Sequence, residues 1–234
     1  MDLNFGEIVE PSSRAFWDDF DEGQEEDAAP VEPLNWEWMN EDGIEHKFEK
    51  IQHLLILEGQ GILAFVSTAV LKGKVPLCQL SNGTTRIYNL AEKHLMVCVS
   101  EEKELNSFGR ITEKMGPWLL SAEQVSAVTI VPNVMHKGTP DVEKEQVCFL
   151  RAVNGQVKEI RELEAPNVLT GLAAGALGYR KFHDKTASAY ACYLDSPTLD
   201  SVATKPILKL LKSLSIDCDE SYELKFRTSS NLYM

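Results

Sequence analysis

The hydrophobic pattern divides the chain at about residue 50. Before that point apolar residues stand singly among acids, and after it short apolar runs alternate with stretches of helical spacing. The run Ile51 to Leu57, closed by Glu58-Gly59, predicts a buried strand. Ile62 to Leu71, with Leu63, Phe65, Val66, Ala69 and Val70, predicts a helix. Strands are predicted at Val75 to Leu80, Thr85 to Leu90 and His94 to Val99, the first two joined as a hairpin turning at Asn82-Gly83. Between Leu105 and Leu120, Phe108, Ile111, Met115, Trp118 and Leu119 recur at spacings of three and four, one face of a helix that Pro117 should end or kink. Strands follow at Val125 to Val131 and Val147 to Val153.

The last third repeats the alternation. Asn167 is placed to cap a helix from about Val168 to Phe182, although Gly171, Gly175 and Gly178 each cost it about 1 kcal/mol relative to alanine. Such a helix depends on tertiary packing, and its small face, with Ala173, Ala174 and Ala176, is expected very close to a sheet or a second subunit. Ala187 to Leu194 predicts a strand. Leu199, Val202, Ala203, Ile207, Leu210, Leu211 and Leu214 share one helical face, with Pro206 kinking the helix or sitting in its first turn. The expectation is an α/β fold: a single domain with a mixed or mostly parallel sheet flanked by helices, an acidic disordered N-terminal arm and a flexible C-terminal tail. The boundaries expected are residues 1–48 for the arm, 49–214 for the domain and 215–234 for the tail.

Charge sharpens this division. The chain carries a net −13, and its first 50 residues hold 16 acids against 3 bases, so the remainder balances at 20 of each. Asp18 to Asp27 places seven acids in ten residues with no base, a run that repels itself and stays extended. Trp17, Trp36 and Trp38 in the same region leave two readings open, a solubilising tail and an interaction arm. With no basic patch, nucleic acid is a poor partner. No uncharged apolar run is long enough for a membrane span, and the acidic start resembles neither signal nor transit peptide, so a cytosolic location with access to the nucleus is expected.

Catalytic chemistry finds one opening. Gly59-Gln60-Gly61-Ile62-Leu63-Ala64 matches the dinucleotide pattern Gly-x-Gly-x-x-Gly/Ala between a predicted strand and helix. The acid expected about 20 residues later to hold a ribose is missing, since none occurs between Glu58 and Glu92. Arg86 could meet a 2′-phosphate instead, which keeps an NADP-like binder or enzyme as the alternative. The simpler reading is a tight turn that needs glycine for its backbone. Glu101, Glu102 and Glu104 are expected in a solvated loop. Cys78, Cys98, Cys148 and Cys192 lie in apolar surroundings and are expected as small core residues, with Cys218 apart from them. The five histidines are scattered without metal-ligand spacing. No cofactor, no metal and no enzyme activity are expected.

The C-terminal sequence Leu232-Tyr233-Met234 has a different chemistry. An aliphatic side chain and a phenol can fill an apolar slot while a carboxylate pairs with a lysine, on a leash of Ser229, Ser230 and Asn231. This hydrophobic-tyrosine-any residue ending resembles the tail motif of proteasome activators and assembly chaperones. Other stretches resemble the proteasome assembly chaperone family in order along the chain: Phe5-Gly6-Glu7-Ile8-Val9, Leu163-Glu164-Ala165-Pro166-Asn167-Val168, Ala191-Cys192-Tyr193, Lys205-Pro206-Ile207-Leu208 and Ser230-Asn231-Leu232-Tyr233. Almost nothing matches between about residues 72 and 145. The resemblance implies an α/β chaperone that pairs with proteasome assembly chaperone 2 and binds the outer face of the proteasome α-ring. It implies further that the pair promotes ring assembly and blocks premature activator binding through the tail residues Leu232, Tyr233 and Met234. Phe5, Gly6, Glu7, Ile8 and Val9 are expected to form a second contact with the α-subunits.

Overall fold

The computed structural model describes residues 33–39, 51–90, 94–138, 147–196 and 199–219. Its strands are β1 (Trp36–Trp38), β2 (Ile51–Glu58), β3 (Cys78–Leu80), β4 (Thr85–Leu90), β5 (Leu95–Ser100), β6 (Ala122–Pro132), β7 (Cys148–Val153) and β8 (Ser188–Leu194). Its helices are α1 (Ile62–Ala69), α2 (Leu105–Lys114), α3 (Gly116–Ser121), α4 (Gly171–Phe182) and α5 (Thr204–Ser213).

The strands form one mixed eight-stranded sheet in the order β1-β3-β4-β5-β2-β6-β8-β7. Its centre, β5-β2-β6-β8, is parallel, and every outer pairing is antiparallel. Burial on both faces explains why β5 and β8 read as continuous apolar runs without alternation. Helices α1 and α5 cover one face, where Phe65, Val66, Ile207 and Leu211 are fully buried over Leu55, Leu57 and Val97. Helices α2, α3 and α4 cover the other, packing Ile111, Trp118, Leu172 and Ala176 on Leu54, Ile56 and Ala127. A fully buried side chain of this size contributes roughly 1.5–3 kcal/mol. The single α/β domain with a mixed sheet flanked by helices is thus the observed fold.

Details depart from the pattern for local reasons. Strand β3 covers only Cys78–Leu80 rather than starting at Val75, because Pro76 has no N–H to give a ladder and Val75 is exposed. Pro117 stands at the start of α3, so the expected single helix is two, joined at Met115. Asn167 does not cap α4. Its side chain accepts the N–H of Lys137 at 2.7 Å and donates to the carbonyls of Lys137 and Glu164, each at 2.8 Å, so it clamps two loops together while α4 begins at Gly171. The small face of α4 lies close to the sheet, as expected, with Ala173 and Ala176 fully buried against it, and it also meets α2: a Cβ at Gly175 would collide with Thr112, and one at Gly116 with the Tyr179 side chain.

Most of the arm expected over residues 1–48 lies outside the described residues, but Trp36–Trp38 form strand β1 of the sheet. Trp36 stands edge-on to buried Trp118, with ring centroids 4.9 Å apart, and its indole N–H donates to the Lys114 carbonyl at 3.0 Å. Trp36 and Trp38 of this acidic stretch therefore pack on Trp118 of the domain. At the far end, residues 215–219 run back along α1, with Ile216 buried and the Asp219 N–H donating to the Ala69 carbonyl at 2.8 Å.

Candidate functional site

The carboxyl ends of the parallel strands are where an open α/β sheet receives ligands, at the point where successive connections leave on opposite faces. Here β2 leads into α1 on one face, and β6 leads through β7 and its loops to α4 on the other, so the crevice lies between the ends of β2 and β6. Glu58, the last residue of β2, is buried in it opposite Thr129 of β6.

Its carboxylate is turned onto the first turn of α4. One oxygen accepts the Leu172 N–H and the other the Ala173 N–H, both at 3.0 Å. These amides have no partner inside the helix, and an anion there is favoured by the helix dipole. Burial raises the Glu58 pKa, while the N–H groups of Ala173 and Leu172 and the Thr129 hydroxyl act against that rise. Gly171 precedes those amides with φ +76°, and a Cβ on it would overlap the Glu58 carboxylate. The position of a bound anion in a doubly wound enzyme is filled by the protein's own side chain.

The glycine motif has an equally internal explanation. Gly59 and Gly61 take φ +136° and +73°, values that favour glycine, and a Cβ at Gly59 would lie 2.7 Å from Ile130 Cβ. The Gly61 N–H donates to the Glu101 carboxylate at 3.1 Å, where a pyrophosphate would have to sit. Arg86, the residue available for a 2′-phosphate, donates its Nε–H to Gln79 Oε1 at 3.1 Å. The geometry supports the tight-turn reading of Gly59-Gln60-Gly61.

The acidic loop is not merely solvated. Partial burial raises the Glu102 carboxyl, yet the N–H groups of Glu104 and Lys103, the Thr84 hydroxyl and the Asn82 amide outweigh it and leave its pKa lowered. Glu101 and Glu102 thus hold the start of α1, the β3–β4 turn and the entry to α2 in place.

As expected, Cys78, Cys98, Cys148 and Cys192 are buried and Cys218 is half-buried. Burial pushes the Cys78 thiol up to about 12 and raises Cys98 further, opposite to what a nucleophile needs. A serine–histidine contact places His53 Nε2 3.0 Å from Ser126 Oγ, which is 3.2 Å from Ser188 Oγ. Both serines are buried, so neither can meet a substrate. Among the described residues no group of acidic, histidine or cysteine side chains has the arrangement of a metal site, and no helix is long and apolar enough to cross a membrane.

The carboxyl-end surface instead presents apolar side chains. Val134 and Met135, after β6, are 87% and 63% exposed, and Val168, before α4, is 76% exposed. Asn133 beside them keeps a buried side-chain oxygen with no hydrogen-bond partner. The residues singled out from the sequence, Phe5 to Val9 and Leu232 to Met234, lie outside the described residues. Sequence reasoning missed Glu58 as a capping group and Arg180 as a buried hub. An acid closing an apolar strand was the available signal for the first.

No family model and no curated protein matches the sequence. Solved structures do match. PbaA from Pyrococcus furiosus, an archaeal homolog of proteasome-assembly chaperone, aligns with a TM-score of 0.54 at 11% identity, covering 83% of this chain and 85% of its own. PbaB from the same organism, an archaeal proteasome activator, aligns with a TM-score of 0.55 at 12% identity over 81% and 92%. A protein of unknown function from Corynebacterium glutamicum aligns at 0.54, 12% identity, over 79% and 82%. At such identities the likeness establishes a shared fold.

Proposed function

We propose that this chain is a proteasome assembly chaperone, of the chaperone 1 type in its invertebrate form, and that it works by binding rather than by catalysis. The observation that carries the reading is the fold held in common with PbaA and PbaB across about four fifths of the chain. The ordered sequence resemblances from Phe5 to Tyr233 support it, and so does a carboxyl-end crevice closed by Glu58.

In this reading residues 49–214, joined by strand β1, form the chaperone domain, the rest of 1–48 an acidic arm, and 215–234 a tail that starts against α1. The domain pairs with proteasome assembly chaperone 2, and the heterodimer rests on the outer face of the proteasome α-ring in the cytosol and nucleus. Leu232 and Tyr233 wedge between neighbouring α-subunits, with Met234 beside them. Phe5, Gly6, Glu7, Ile8 and Val9 make a second contact. Ordering a flexible tail offsets much of its contact energy, so one tail binds weakly. Two tails on one heterodimer gain through effective concentration, which favours ring assembly and excludes activators that use the same pockets.

The test is copurification with a tagged full-length chain, read by mass spectrometry. Recovery of α-subunits with one similar-sized chaperone is expected, and deleting residues 232–234 should remove the α-subunits while leaving the chaperone pair. Recovery of neither would overturn the proposal.

A further inference from the structure

Cys148 opens β7, and Cys192 lies within β8. The register sets Cys148 opposite Leu194 and Leu150 opposite Cys192, so the two cysteines are diagonal neighbours on the face of the sheet that α5 covers. Their sulfurs are 3.3 Å apart, in contact but not bonded. A bond would bring them to about 2 Å. Strand β7 has a strand neighbour on one side only, and Cys148 stands at the end away from Ala152, which is anchored by hydrogen bonds to Arg161 and Leu163. The outer strand is therefore the part able to close the gap.

The remaining cysteines have no such geometry. Cys78 and Cys98 are each registered opposite Ile87, from the two strands that flank β4. Their backbones are thus roughly 9–10 Å apart, out of disulfide reach. Cys98 Sγ lies instead 3.5 Å from Met115 Sδ, and Cys218 Sγ 3.5 Å from the Ile216 carbonyl. Access also differs within the contacting pair. Cys148 is 8% exposed and lines a groove of about 640 Å³ between β7 and α5, whereas Cys192 is fully buried. A hydrogen bond with Cys148, then burial, raises the Cys192 pKa, so that thiol keeps its proton. A small oxidant entering the groove meets Cys148 first.

We propose that Cys148 and Cys192 form a reversible disulfide within the chain when it meets a hydroperoxide. With hydrogen peroxide, the Cys148 thiolate attacks one oxygen, the O–O bond breaks, and the departing hydroxide takes up the proton that Cys148 gave up, leaving a sulfenic acid. The Cys192 sulfur then attacks the Cys148 sulfur, and its proton leaves with the hydroxyl as water. In total two thiols are oxidised to one disulfide and one peroxide is reduced to two waters. The cross-link joins residues 44 apart in the chain, holds the outer strand on the sheet and restricts the unfolded chain. An external thiol reverses it by exchange. The site stands without the proteasome reading.

The direct test exposes the folded full chain to hydrogen peroxide, alkylates the remaining thiols and maps the peptides by mass spectrometry. A peptide pair joined through Cys148 and Cys192 is expected, with Cys78 and Cys98 still free, and dithiothreitol should restore the starting map. The oxidised chain should melt about 5 °C or more higher than the reduced one. In Cys192→Ala, dimedone should trap a sulfenic acid at Cys148, and in Cys148→Ala it should leave Cys192 unlabelled, with circular dichroism checking both folds. The map of the unsubstituted chain decides the question even if a variant does not fold. Three results would each overturn the proposal: no peptide joining Cys148 to Cys192, a cross-linked chain that melts no higher, or a folded Cys148→Ala chain labelled at Cys192.

Discussion

Glu58 and Leu172, 114 residues apart in sequence, are joined by a 3.0 Å hydrogen bond from the helix amide to the carboxylate. This bond and its twin to Ala173 lock the end of β2 to the start of α4 across the crevice in which a related sheet would bind ligand. Glu58→Ala should cost about 2–4 kcal/mol, because two buried N–H groups lose a charged acceptor. Gly171→Ala should cost at least about 2 kcal/mol, from its positive φ and the overlap with the carboxylate. Removing the carboxylate relieves that overlap, so the double variant should lose at least about 1 kcal/mol less than the two single losses combined. Urea unfolding of the three variants measures the difference.

How much of this was legible can be read from the same residues. Strands such as Thr85 to Leu90 and Ile51 to Leu57 were visible because burial in a sheet covered by helices imposes apolar positions with turn signals at the ends, and the second extends only one residue further, to Glu58. The boundaries of α4 were not, because its capping group comes from a strand far away in the chain and not from neighbouring Asn167. The Trp36 strand was hidden by the acids around it, since its partners, Trp118 and Lys114, are invisible to any local window. The crevice residues were missed for a related reason: composition shows that an acid follows a strand, but only folding shows that its carboxylate has turned inward.

Arg180 is a second non-local hub. Its fully buried guanidinium donates to the carbonyls of Leu119 and Ala122 at 2.7 Å, of Thr186 at 2.7 and 2.9 Å, and of Glu123 at 3.1 Å. It joins the end of α3, the start of β6 and the loop before β8. Arg180→Met should destabilise the domain by about 3–5 kcal/mol by stranding those carbonyls, and Arg180→Lys should recover less than half of the loss because an ammonium cannot span them. Thermal unfolding at one pH gives the comparison.

His53 makes stability depend on pH in a stated direction. Burial lowers its pKa from 6.5 to about 4. Between those values the unfolded chain binds the proton that the folded chain refuses, so stability is full above about pH 6.5 and falls as the pH drops toward 4. The loss at the lower end approaches about 3 kcal/mol. His53→Gln should be less stable at neutral pH yet flatter over this window, as read by denaturant midpoints from pH 7 to 4.5. An unchanged slope would contradict the assignment.

The acidic arm gives a prediction that separates solubilising from binding. Deleting residues 2–9, which removes only the acids Asp2 and Glu7 and keeps the Asp18 to Asp27 run, should weaken α-ring affinity severalfold while leaving solubility unchanged. Binding of the truncated chain to purified α-subunits by interferometry measures it.

The central claim is that the sequence Leu232-Tyr233-Met234 brings this chain to the proteasome α-ring. The most direct measurement is the affinity of the purified full-length chain, with its chaperone partner, for proteasome core particles, compared with the same complex carrying Tyr233→Ala. A loss of about tenfold or more, with the chaperone pair intact by size-exclusion chromatography, is the predicted result. Equal affinity of the two complexes, or no affinity in either, would contradict the account.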